Sequence, residues 1–172
     1  ALLRRGLRIR EKAYGTNDLE LSASLNNLAV LDLNTENYAG AKTLLQRDLA
    51  ILRTKLPPDH PHVATTLNNL GSVYSGIGHY LRAIPFYQEA LDIREKKLPE
   101  DHPATADVLN NLAMAYHKLG EYSKAEPMLL EALKIREECL GAEHPDTANS
   151  LVNLVETYLE EGKTIDVVEP PL

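Results

Sequence analysis

The chain has 172 residues, 44% of them hydrophobic, with no Trp, one Phe and a formal charge of −7. That is enough for a domain-sized core built from Leu, Ala, Ile, Val and Tyr. The acidic balance argues against the concentrated basic face that phosphate binding needs, and no apolar run approaches the roughly 18–20 residues that cross a bilayer, so neither nucleic acid nor membrane is expected as a partner. A single cysteine, Cys139, rules out an internal disulfide. With no visible signal peptide, the expected location is cytoplasmic. The chain begins with Ala partway through a repeating pattern, as a fragment of a larger protein would.

Residues 1–14 read as one helix, and its Arg4, Arg5, Arg8 and Arg10 form the only basic cluster, expected to be a solvated helix surface. A helix–turn–helix hairpin follows at about 20–55, a second at about 62–97 and a third at about 104–139. In the second, Pro61 opens the first helix at N1, where its missing N–H costs nothing, and His60 stands at the N-cap. Val63, Leu67, Leu70, Tyr74 and Ile77 then form one apolar stripe at helical spacing. Gly76 and Gly78 end it. A partner helix starts near Tyr80, with Ala83, Ile84, Tyr87, Ala90 and Leu91 as its apolar face. Pro85 and Pro127 fall about one turn into the second helices, where most N–H groups are orphans anyway, so the helices should tolerate them. A lone first helix is expected at about 146–161. Residues 163–172 leave the pattern, as a degenerate repeat or an extended tail able to occupy a groove.

These elements repeat with a period of 42 residues. Asn-Asn-Leu stands at 26–28, 68–70 and 110–112, with Val152-Asn153-Leu154 in the same frame, and His-Pro recurs at 60, 102 and 144. Residues 60–101 and 102–143 share 19 identical positions. Such a period marks stacked supersecondary units that bury their apolar stripes on one another. The fold class is therefore all-α, a stack of antiparallel helix hairpins over residues 1–162. Its expected core includes Leu28, Leu67, Leu70, Leu109, Leu112 and Leu151, with Ala83 and Ala125 at the close hairpin contacts.

The third repeat reads Leu109-Asn110-Asn111-Leu112-Ala113 and Tyr116, then Gly120-Glu121-Tyr122, Ala125-Glu126-Pro127 and Ala132-Leu133-Lys134-Ile135-Arg136-Glu137. This resembles the 42-residue tetratricopeptide repeats of kinesin light chains, and the resemblance covers residues 1 to about 162. The first repeat departs from it, with Asp32 where the others have Tyr74, Tyr116 and Tyr158, and Glu36 where they have glycine. The resemblance implies a right-handed superhelical solenoid whose first helices line a concave groove. That family binds acidic, tryptophan-bearing peptides in a groove with basic residues.

By the same resemblance, the second Asn of each pair, at Asn27, Asn69, Asn111 and Asn153, contacts bound peptide. An Asn amide offers both a donor and an acceptor, which suits the backbone of an extended peptide of any sequence. The first Asn column, Asn26, Asn68 and Asn110, either shares that role or bridges to the neighbouring helix. One turn on, Val30, Ser72 and Met114 should line the same groove and set specificity, with Ala23, Thr65, Asp107 and Asn149 at its flank. The expected function is a non-catalytic scaffold for a protein or peptide partner. The alternative is a structural, oligomerising or regulatory segment of a larger signalling protein, with self-association through exposed repeat ends or the C-terminal tail.

Catalytic residues, metal and cofactor are not expected. There is no Gly-rich phosphate loop and no nucleophile with a base, and Cys139 has no base-plus-orienter arrangement. His60, His102 and His144 lie on successive repeats, where helix axes about 8–10 Å apart do not converge on one ion. Arg94-Glu95 and Arg136-Glu137 are read as solvated or salt-bridged helix surface.

Overall fold

A computed structural model describes residues 2–99 and 101–163. The described residues form eight α-helices: α1 (Leu2–Tyr14), α2 (Ser22–Asn34), α3 (Tyr38–Lys55), α4 (Pro61–Gly76), α5 (Tyr80–Lys97), α6 (Pro103–His117), α7 (Tyr122–Leu140) and α8 (Pro145–Glu161). A single 3-10 turn at Leu19–Leu21 leads into α2. The chain is all-α and built from antiparallel helix hairpins, as the period requires. It divides into two compact units, Ala1–Lys97 and Leu98–Leu172.

The first unit holds the α2–α3 and α4–α5 hairpins, with α1 packed on α2. Leu7, Leu21, Leu25, Leu28 and Ile51 form one of its core clusters. The second unit holds the α6–α7 hairpin and α8, which packs on α7. Its core joins Ala113, Ala125, Leu129, Leu133, Leu154 and Tyr158. Each hairpin closes on an alanine, Ala41, Ala83 or Ala125, all fully buried. Of the expected core, Leu151 is only half-buried, because among the described residues no helix follows α8. Ile77 lies past the end of α4 and is exposed.

The recurring His-Pro pair has a local cause. Nδ1 of His60, His102 and His144 accepts the backbone N–H two residues on, at 3.2, 3.1 and 3.1 Å. Each histidine caps a helix whose first residue is proline, so an aromatic nitrogen does the work usually done by a Ser or Asp oxygen. α5 and α7 run through Pro85 and Pro127 unbroken. The turn ending the first helix of each hairpin needs a left-handed residue. Gly78 and Gly120 supply it at φ 76° and 75°, while Glu36 adopts it at φ 57°, at a cost of about 1–2 kcal/mol for a residue with a Cβ.

Pairs of positions exchange volume between repeats. Ala29 faces the Leu45 column in the first hairpin, and Ala113 the Leu129 column in the third. In the second hairpin the same columns hold Gly71 and Tyr87. Tyr87 is buried, and its hydroxyl donates to Ser75 Oγ at 3.2 Å. A Cβ added at Gly71 would lie 2.6 Å from Tyr87 Cδ1. The glycine is thus there to admit the ring.

Candidate functional site

The asparagine columns lie on the first helices, and within each unit they are joined. Asn69 Nδ2 on α4 donates to Asn26 Oδ1 on α2 at 2.7 Å. In the second unit Asn153 Nδ2 on α8 donates to Asn110 Oδ1 on α6 at 2.9 Å. The first Asn of one repeat is thus a bridge to the second Asn of the next. Among the described residues nothing donates to the Oδ1 of Asn69 or of Asn153, and both residues are half-buried. Each of these amides therefore keeps an acceptor and a second N–H for another partner.

In the first unit the direction of these amides is set from below by Asp48 on α3. Thr66 Oγ1 donates to Asp48 Oδ2 at 2.8 Å, and Asn26 Nδ2 lies 3.5 Å from the same oxygen and 3.3 Å from Thr66 Oγ1. A carboxylate only accepts, so it turns the Asn26 amide nitrogen towards itself and the Asn26 oxygen towards Asn69. Asn69 must then offer its nitrogen and point its own oxygen away. The same direction holds between Asn153 and Asn110, where the position of Asp48 is Ala132, so the carboxylate supports this orientation and is not its only cause.

Asp48 was not foreseen as part of a site. It is 0% exposed, forms no ion pair among the described residues, and its Oδ1 has no partner. Burial pushes its carboxyl above the ordinary carboxylate range, opposed by Ser22, Thr66 and Asn26 as hydrogen-bond donors. A carboxyl raised in the folded state costs stability while charged, above that folded value. The cost is relieved as pH falls through the folded value towards the unfolded one. Asp48→Asn should therefore be more stable than the parent at neutral pH, and the difference should shrink on acidification. Urea unfolding of both chains between about pH 4 and 7.5 checks this, and a difference independent of pH would contradict it.

The remaining expected residues divide. Asn27 and Val30 are exposed on α2. Asn68 and Asn111 are half-buried and hydrogen-bonded or otherwise engaged. Ser72 turns towards its own hairpin, donating to Asn68 O at 3.2 Å and lying 3.4 Å from the Tyr87 hydroxyl. Met114 packs against the second unit's core cluster. Of the flank, Ala23, Asp107 and Asn149 are exposed and Thr65 is half-buried.

Arg136 is salt-bridged to Asp107, as one of the two expected roles had it, but the expectation of a helix surface for Arg94 and Arg136 is corrected. Both are 7% exposed. Arg94 Nη2 reaches Thr65 Oγ1 at 3.4 Å. Arg136 on α7 spans the two first helices of its unit: Nη1 donates to Asp146 O at 2.9 Å and Ser150 Oγ at 2.7 Å, and Nη2 to Asp107 Oδ1 at 3.0 Å. A guanidinium has enough fixed donors to be satisfied in such a place, where a lysine would not be. The exposed Arg4, Arg5, Arg8 and Arg10 do form a solvated surface, with Arg4 3.6 Å from Asp32 and Arg10 donating to Glu20 O at 2.9 Å.

Between α2 and α4 the first unit has an open cleft of about 330 Å³, lined among others by Arg10, Glu20, Ser22, Asn26, His62 and Thr65. No group of three His, Cys, Asp or Glu among the described residues could hold a metal ion. The thiol of Cys139 is exposed and donates to Asp101 O at 2.9 Å. No described helix is long and apolar enough to cross a membrane.

Helix hairpins in a 42-residue period, joined through paired polar columns on their first helices, define a helical-repeat protein. The tetratricopeptide repeat family model matches residues 30–96 and 104–166, and the chain belongs to that family. Within it the chain is similar to solved repeat proteins, one of them a putative kinesin light chain. It is 26% identical to BtubC (BKLC) from P. vanneervenii, with a TM-score of 0.80, over 94% of this chain and 64% of that one. This chain thus spans less than two thirds of that protein's length. A Podosopora anserina putative kinesin light chain with nearly identical repeats is 25% identical, with a TM-score of 0.74, over 94% of this chain and 76% of that one. A Rap protein in complex with competence and sporulation factor shares the fold alone, at 19% identity and a TM-score of 0.72, over 84% of this chain and 39% of that one. Among curated proteins none matches.

Proposed function

We propose that the chain is a non-catalytic scaffold that takes an extended peptide on the asparagine-bearing face of its first helices. The observation that carries this reading is the half-used amide of Asn69 and of Asn153. Each spends one N–H on the neighbouring helix and retains a carbonyl oxygen and an N–H. That pair of atoms matches the N–H and C=O of a peptide backbone without regard to its sequence. The bridge holds each amide in one orientation before a ligand arrives, which reduces the ordering cost of binding. Membership of the tetratricopeptide repeat family supports the reading, as does the shared fold of the Rap protein solved with competence and sporulation factor.

The test is an unbiased peptide-display selection on the parent chain, followed by titration of the selected peptides. A net hydrogen bond is worth about 0.5–1.5 kcal/mol. Asn69→Ala should weaken peptides seated on the first unit by about two- to tenfold, and Asn153→Ala those seated on the second. Because the contact is to backbone, peptides of different sequence should lose similar amounts. Selected peptides that bind both variants as tightly as the parent would refute the reading.

A further inference from the structure

The second unit shows what the gap between adjacent first helices accepts. There Arg136 lays its guanidinium across Asp146 O and Ser150 Oγ of α8 and Asp107 Oδ1 of α6. Two periods earlier, the positions of Asp107, Asp146 and Ser150 are Ala23, His62 and Thr66, and that of Arg136 is Leu52. The first unit therefore keeps the two walls and lacks the guanidinium. The buried Leu52 stands in the arginine's column, and the open cleft between α2 and α4 has Ala23 and His62, the counterparts of Asp107 and Asp146, in its lining.

The first unit also has a negative charge that the second does not. Asp48 stands in a column otherwise held by Gly6, Ala90 and Ala132. It is fully buried, and among the described residues it has no ion pair and its Oδ1 has no partner. Its neighbours Ser22, Asn26 and His62 all line the cleft. A buried carboxylate with no cation is unfavourable, and a cation brought beside it is correspondingly favoured.

We propose that this cleft is a specificity pocket for an arginine side chain of the bound peptide, whose guanidinium occupies in the first unit the place that Arg136 occupies in the second, with Asp48 as its counter-charge. The inference rests on the peptide reading above for the source of the arginine. A guanidinium fits better than an ammonium because it has donors on two edges, for the Ser22 and Thr65 hydroxyls on opposite walls and for the Asn26 amide. Glu20 at the rim adds a second negative charge. Two like charges oppose it: Arg10, exposed at the same rim with Nη1 held on Glu20 O, and Arg94, whose Nη2 lies 3.4 Å from Thr65 Oγ1.

The test uses the full chain and small probes. N-acetyl-arginine-N-methylamide, titrated into isotope-labelled protein, should shift amide resonances around Asn26, His62 and Thr65. The citrulline analogue has the same shape without the charge, and at equal concentration it should not. Asp48→Asn should weaken the arginine probe at least about fivefold, while Arg10→Ala, which removes a like charge from an exposed position, should tighten it. Equal shifts with arginine and citrulline, or an arginine affinity unchanged in both variants, would overturn the proposal. Displayed peptides that seat on the first unit without a basic residue would also overturn it, and would leave the peptide reading standing. An arginine probe that titrates as expected, with no displayed peptide binding, would support the pocket and count against the peptide reading instead.

Discussion

Leu112→Ala should lower the free energy of unfolding by roughly 2–5 kcal/mol. Leu112 is 1% exposed in the middle of α6, one member of the column Leu28, Leu70, Leu112 and Leu154, all buried. Truncation removes three carbons from a site enclosed by neighbouring helices, and a helix pinned at one end by the His102 cap and on two sides by α7 and α8 has little freedom to collapse into the space. The lost transfer energy and the residual cavity then add. Leu151→Ala, at a half-buried position on α8, should cost distinctly less. Urea unfolding of the two variants measures the contrast. A loss below about 0.5 kcal/mol for Leu112→Ala, or a larger loss for Leu151→Ala, would show that the apolar face is assigned wrongly.

Gly71→Ala should also destabilise, by about 1–3 kcal/mol, although intrinsic propensity alone favours Ala over Gly inside a helix by about 1 kcal/mol. The added methyl meets the Tyr87 ring, and that ring is buried and tied to Ser75 through its hydroxyl. It has nowhere cheap to go. The first and third hairpins show the other solution, Ala with Leu, in the same two columns. Gly71→Ala combined with Tyr87→Leu should therefore recover most of what Gly71→Ala loses. A double variant no more stable than Gly71→Ala alone would contradict the idea of a compensating pair.

What repeats was legible in the sequence, because each column samples the same environment several times. The apolar stripes, the hairpin alanines and the Asn columns were all found from the 42-residue frame. So was the turn that groups His60, His102 and His144, although their role as N-caps through Nδ1 needed coordinates. What occurs once was harder to read. Asp48 stands alone in a column of glycine and alanine, and a lone charge in a small-residue column was the available signal. Arg94 and Arg136 recur with Arg10 but skip Leu52. That skip marks a place where the inner face changes character, whereas their charge suggested a solvated or salt-bridged surface. The Asn pairs offered two roles that sequence could not separate. The structure divides them, with Asn26 and Asn110 as bridging acceptors and Asn69 and Asn153 as amides that retain capacity. The expected tail at 163–172 falls, beyond Lys163, outside the described residues.

We propose that peptide is taken by the first-helix face. The most direct measurement of this is the resonance map of a display-selected peptide on the labelled full chain, read at the side-chain amides. Asn69 or Asn153 Nδ2 signals should shift with saturating peptide, together with backbone amides of α4 or α8, while signals from exposed residues of α3, α5 and α7 stay in place. Saturable shifts confined to α3, α5 or α7, with the asparagine side-chain amides unmoved, would contradict it.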